Sequence, residues 1–165
     1  MTPNMLILAL LSLIPFAFAY LWFHPQLFGG ERWFAASEMP IDKRTAVKPL
    51  KLLLSILLNF LLAFGLSQLV LHQMGVFSLV GGDISLLQTG VGADFMKEFG
   101  QRHLSFGHGI FHGILAALFF GMPFLGYVCI FEKKSANYFL IYMGYWIITL
   151  GLMGGLISLY GGVPA

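Results

Sequence analysis

The sequence predicts an all-α fold, a four-helix transmembrane bundle with a short amphipathic inner-interface helix and a structured outer loop. Composition gives the first observation: of 165 residues, 58% are hydrophobic and 10% charged, against about 25% charged in an average soluble domain. Four long apolar stretches give the second. A helix needs about 20 apolar residues to cross a hydrocarbon core of about 30 Å with its backbone polar groups paired internally, and the stretches 5–23, 50–71, 104–131 and 138–160 meet that length. Charge placement gives the third. The formal charges, 9 Lys+Arg and 7 Asp+Glu, fall almost entirely between those stretches, and Lys51 sits at an end where it can snorkel. Residues 1–165 therefore read as a single transmembrane domain whose principal partner is the lipid bilayer.

The first stretch, Met5 to Phe23, contains Ala17-Phe18-Ala19, a small-x-small pattern like a secretory cleavage site. Met-Thr-Pro-Asn at the start lacks the Lys or Arg of a signal sequence, so the segment reads as a retained helix. Pro15 removes a backbone donor and should bend it. Pro25 ends it, because the residue before a proline is pushed away from helical geometry. Next, Glu31 to Met39 sets Trp33 and Phe34 among charged neighbours, as in an amphipathic helix lying in the interface, with Trp22, Phe23 and Phe28 as its aromatic belt.

The second stretch carries Asn59 near its centre and Ser55 one turn before, a pattern that suits an interhelical hydrogen bond. A long connection from His72 to His103 follows. Gly81-Gly82-Asp83 and Gly90-Val91-Gly92 mark turns in it, and Ala93 to Gly100 places Phe95, Met96 and Phe99 at helical spacing. This loop should fold back over the bundle as a cap. Pro123, between Gly121 and Gly126, predicts a kink in the third span. On the fourth, Tyr142, Tyr145, Trp146 and Thr149 form a polar-tipped aromatic stripe suited to packing.

Basic residues orient the chain. Arg32, Lys43, Arg44, Lys48, Lys51, Lys133 and Lys134 flank the first and third connections, whereas the long loop holds just Lys97 and Arg102. The positive-inside rule then predicts both termini and the long loop outside, with the first and third connections in the cytoplasm. A net charge of +2 without a basic patch excludes nucleic acid as a partner. One cysteine, Cys129, can make no internal disulfide.

The most informative polar segment is Phe106-Gly-His-Gly-Ile-Phe-His-Gly113. His108 and His112 are four residues apart and share one helix face. Imidazoles so placed can meet one divalent metal such as zinc if other groups complete the set. His72 and His103 fall on the same predicted side and are the further candidate ligands. Asp83, Asp94 and Glu98 offer carboxylates. Gly109 stands where a His-Glu-x-x-His zinc hydrolase carries glutamate, and there is no P-loop, dinucleotide fingerprint or nucleophilic triad spacing. Hydrogen bonding to carbonyls or water is the competing role for these histidines. Gly109/Gly113 and Gly151/Gly155 form small-xxx-small pairs that let backbones approach closely, either within the chain or in a homo-oligomer or larger membrane complex.

The run Trp22-Phe-His-Pro-Gln-Leu-Phe-Gly29 with Trp33, the segment His72-Gln-Met-Gly-Val-Phe-Ser-Leu-Val-Gly-Gly-Asp83, the His108-Gly-x-x-His-Gly113 element, and Gly144-Tyr-Trp with Leu152-Met-Gly-Gly155 resemble the bacterial domain-of-unknown-function family 1761. The central elements are similar to its Bacteroidota-type members. The resemblance covers nearly the whole chain and implies a small four-helix inner-membrane protein, with no activity attached. Tyr142 departs from it, since many relatives carry Asn there. Two functions are thus expected. The first is a structural or accessory membrane subunit that self-associates through glycine faces. The alternative is a metal- or proton-handling protein, transporter or enzyme, using the histidines.

Overall fold

The computed structural model describes residues 2–27, 30–38 and 49–163. Four helical stretches are long and apolar enough to cross a membrane: Met5–Phe23, Pro49–Val70, Phe106–Phe131 and Ala136–Tyr160. They match the expected spans to within two residues at each end.

Two of the four are interrupted beside a proline. In the first, α1 (Met5–Leu11) stops and α2 (Ile14–Phe23) begins with Pro15 in its first turn. Without an N–H at Pro15, the Leu11 carbonyl loses its helical donor, so the break falls at Ser12–Leu13 rather than at the proline itself. His24 is then extended (φ −69°, ψ 131°) ahead of Pro25, as expected of a residue before proline. In the third span, α8 (Phe106–Ala116) passes through a π-helical turn (Ala117–Gly121) into α9 (Met122–Phe131), with Pro123 in the first turn of α9. The Met122 N–H donates to the Ala117 carbonyl, five residues back. This widened turn accommodates the missing donor of Pro123, and it is the physical form of the predicted kink.

The second span is the unbroken α4 (Pro49–Val70) and the fourth is α10 (Ala136–Tyr160). Half of the membrane-length window in α10 is buried, against 22% or less in the other three, so α10 is the central helix. Leu8, Ala63, Leu66, Val70, Ala116, Ala117, Leu150, Met153 and Ile157 form one core drawn from all four spans. Outward-facing residues are large and apolar, among them Leu50, Leu53 and Leu58 on α4 and Phe119, Phe124 and Phe131 on the third span. In water such a surface drives aggregation; in a bilayer it faces acyl chains.

Association of helices in lipid rests on close packing rather than on expulsion of water. The seam between α8 and α10 shows this. A methyl carbon on Gly109 would run into the backbone of Gly154 and Gly155, and one on Gly113 into the Leu150 carbonyl. The two helices are antiparallel and touch backbone to backbone. Gly109, Gly113 and Gly155 thus serve contacts within one chain. Gly151 has looser surroundings, with the Ile114 side chain 3.6 Å from where its methyl would stand; Gly154 takes the tight position.

At one end of the bundle, α3 (Gly30–Ser37) is the expected amphipathic helix. Its aromatic face docks on protein: Phe23 packs against Trp33, Tyr142 and Tyr145, joining α2, α3 and α10. Trp22 Nε1 donates to the Ile141 carbonyl at 3.1 Å. Phe28, Met39, Lys43, Arg44 and Lys48, which figured in the belt, the helix end and the charge count, lie outside the described residues. Ser55 donates back to the Lys51 carbonyl on its own helix, and among the described residues no hydrogen bond joins Asn59 to another helix. The interhelical bond expected there is not formed.

At the other end, the long connection folds into α5 (Gln73–Leu79), α6 (Ser85–Gln88) and α7 (Gly90–Phe99). Gly81 and Gly82 take positive φ (64° and 83°) in the turn between α5 and α6, as their sequence implied. Gly90-Val91-Gly92, expected as a turn, opens α7 instead. Gln73 Nε2 donates to the Gly100 carbonyl at 2.8 Å, which brings the end of α7 back onto the start of α5. The chain ends meet here too: β1 (Thr2–Pro3) pairs antiparallel with β2 (Gly162–Val163), and the Asn4 N–H donates to the Gly161 carbonyl at 2.7 Å.

Candidate functional site

Four of the five histidines gather at the end where the chain termini meet. His72 occupies the two-residue corner between α4 and α5. His108 and His112 stand one turn apart on α8, whose start is set by Ser105: its side-chain oxygen accepts from the His108 N–H at 3.3 Å. His103 lies in the connection between α7 and α8 with φ 67°, a left-handed conformation uncommon for a residue other than glycine. The Ser158 hydroxyl, near the end of α10, donates to its carbonyl at 3.2 Å.

The side chains of three of these converge. One ring nitrogen from each of His72, His108 and His112 lies within 4.8 Å of the others. His72 Nε2 and His108 Nε2 are 2.9 Å apart, a hydrogen bond whose donor depends on the tautomer. Ring centroids are separated by 4.5 Å for His108–His112 and 4.8 Å for His72–His112. His103 flanks the trio, 4.7 Å from the His108 ring and 5.8 Å from that of His72. His72 and His103 are exposed, and His108 and His112 half-buried. His24 is at the opposite end.

Among the described residues, no carboxylate joins this group. Asp83 accepts from the Ser85 hydroxyl at 2.6 Å and the Ser85 N–H at 2.9 Å. Those bonds, the hydroxyl's first, hold its carboxyl below the usual carboxylate range. Glu98 faces Arg102 at 3.9 Å. The nitrogen trio can therefore share a cation or pass a proton along the His72–His108 contact, with imidazole as the metal-ligating group that the described residues bring together.

Sequence reasoning missed Gln73, Arg102 and Ser158, which surround the cluster. A single Gln after His72 or a Ser near the end of the chain carries no periodic or motif signal. A further cavity of about 890 Å³ lies at the opposite end, lined by Trp22, Arg32, Ser135 and Asn137 among others. It contains no group of metal-ligating side chains among the described residues.

No curated protein and no solved structure matches this chain. The sequence model of one family, described as a protein of unknown function (DUF1761), matches residues 6–158, nearly the full length, and the chain belongs to that family.

Proposed function

We propose that this membrane protein handles a divalent metal ion, such as zinc, at the histidine cluster, with His72, His108 and His112 as ligands and His103 beside them. The observation that carries the reading is the meeting of three imidazole nitrogens within 4.8 Å from two separate elements. Two nitrogens each about 2.0 Å from one tetrahedral zinc stand about 3.3 Å apart. Three nitrogen ligands leave a fourth position for His103, water or a substrate, the pattern of an exchanging or catalytic site rather than a closed structural one. Intramembrane ionisable groups that face one another at a bundle end commonly mark ion or proton pathways.

The accessory-subunit reading has a weaker basis, because the tight glycines that would serve self-association are engaged between α8 and α10 of the same chain. For orientation, the basic residues favour both termini outside, which would place the cluster on the outer side; the bacterial inner membrane is the location that the family resemblance implies.

Elemental analysis of detergent-purified protein from metal-replete cells tests the proposal. Wild type should carry about one ion per chain and His108→Ala/His112→Ala should carry none. Equal, sub-stoichiometric metal in both samples would overturn it and leave the histidines a hydrogen-bonding role.

A further inference from the structure

The end of the bundle remote from the histidines holds a larger cavity, about 890 Å³, between α3 and α10. Its level is set by the spans themselves: Trp22 stands in the last turn of the first, and Ser135 immediately precedes the fourth. The cavity therefore lies where apolar helix gives way to polar connection. In a bilayer that is the depth of the headgroups and the first carbons of the acyl chains.

Its lining is of two kinds. Arg32, Ser135 and Asn137 are polar and exposed, and no carboxylate is among the described residues that line the space. Glu31 lines a separate cavity of about 310 Å³, which Arg32 also borders. Among the described residues Arg32 has no ion-pair or hydrogen-bond partner. The Ser135 oxygen accepts from the Tyr138 N–H at 3.2 Å, which leaves its hydroxyl proton free to donate, and Asn137 brings an amide donor. Lys133 and Lys134 add positive charge in the turn just before. The rest of the lining is apolar: Trp22, Leu140 and Ile141, with the small Ala35 and Ala36 of α3 making room. Trp22 is tied to this wall by its Nε1 bond to the Ile141 carbonyl at 3.1 Å.

Cationic and hydrogen-bond-donating groups beside hydrocarbon, at the membrane boundary, match a headgroup phosphate with its chains attached. At about 30 Å³ per water-sized unit, the space takes about thirty non-hydrogen atoms, far more than a free phosphate ion has. Basic pockets between membrane helices hold anionic headgroups in this way. We propose that this cavity binds an anionic phospholipid, its phosphate held by Arg32 with Ser135 and Asn137 donating, and its acyl chains running past Trp22, Leu140 and Ile141. The site is separate from the histidine cluster and does not depend on the metal reading.

Native mass spectrometry of detergent-purified full-length protein, titrated with phosphatidylglycerol or with phosphatidylethanolamine of the same acyl chains, tests it. Phosphatidylglycerol should bind about tenfold more tightly, the worth of one charged contact. Arg32→Gln should erase that preference. Lys97→Gln, which removes one charge at an exposed position on α7 at the other end of the bundle, should retain it. Equal affinity for the two lipids in wild type, binding of neither, or equal losses in the two variants would overturn the site. Glycerol phosphate, which offers the phosphate without the chains, should fail to displace the lipid at equimolar concentration. Displacement would make the ligand a soluble phosphate ester and overturn the lipid assignment.

Discussion

Tyr145 sends its hydroxyl from the middle of α10 to the broken first span, where it donates to the Pro15 carbonyl at 2.7 Å. The residue is 4% exposed, so nothing but protein answers that hydroxyl. Tyr145→Phe should lower stability by about 1 kcal/mol, within the range of hydrogen bonds measured between membrane helices. Thermal unfolding of the two proteins in one detergent checks it, and an unchanged midpoint would make the bond incidental. Trp22 and Gly144 are coupled at the same junction: a methyl on Gly144 would stand 3.1 Å from the Trp22 indole, so the small residue makes room for the large one. Both were visible in the sequence as parts of separate motifs. Their contact was not, because nothing in a one-dimensional pattern pairs positions 22 and 144. His108 and His112 were legible for the opposite reason: a spacing of four residues fixes a shared helix face by itself. Convergence of His72 onto that face depended on the two-residue corner after α4, which composition alone does not set.

The seam of α8 with α10 separates two kinds of glycine. Gly113 has a carbonyl of the partner helix where its side chain would begin, whereas the nearest atom to a methyl on Gly151 is a side-chain carbon at 3.6 Å. Gly113→Ala should therefore cost about 1–3 kcal/mol, the usual penalty of forcing extra volume into a packed site, and Gly151→Ala should be close to neutral. Chemical or thermal unfolding of the two variants in detergent would show the contrast. Equal effects would mean that the seam can widen without cost. Glycine spacing announced a close-packed helix pair and pointed on α10 to Gly151 and Gly155, whereas the tight contacts fall at Gly154 and Gly155. The rotation of α10 about its axis decides which glycines meet α8, and that follows from packing on all its neighbours. A similar limit applies at the prolines. Pro15 and Pro123 signalled two interruptions, but the break falls at Ser12–Leu13 and the π turn at Ala117–Gly121. The lost hydrogen bond belongs to the carbonyl four residues before each ring, so the distortion lies upstream.

Across the whole molecule, four crossings return the chain to the side on which it began, and pairing of Thr2–Pro3 with Gly162–Val163 joins the two ends there. Two-residue strands carry no alternation to read, so this closure was invisible in the sequence although the even number of spans required the ends to share a side. The histidine cluster sits at the same end, since Ser158 near the end of α10 bonds to the His103 carbonyl. Whichever face of the membrane holds the termini therefore holds the cluster. Seven basic residues flank the first and third connections in the sequence and two lie in the long loop that carries the histidines, an imbalance from which the positive-inside rule predicts the richer end in the cytoplasm. Alkaline phosphatase, which is active only outside the cytoplasm, should accordingly be active when fused after Ala165 and inactive when fused after Ser135, in the tight turn between α9 and α10. The reverse pattern would turn the cluster toward the cytoplasm. The proposed metal site would then face the cytoplasmic metal pool.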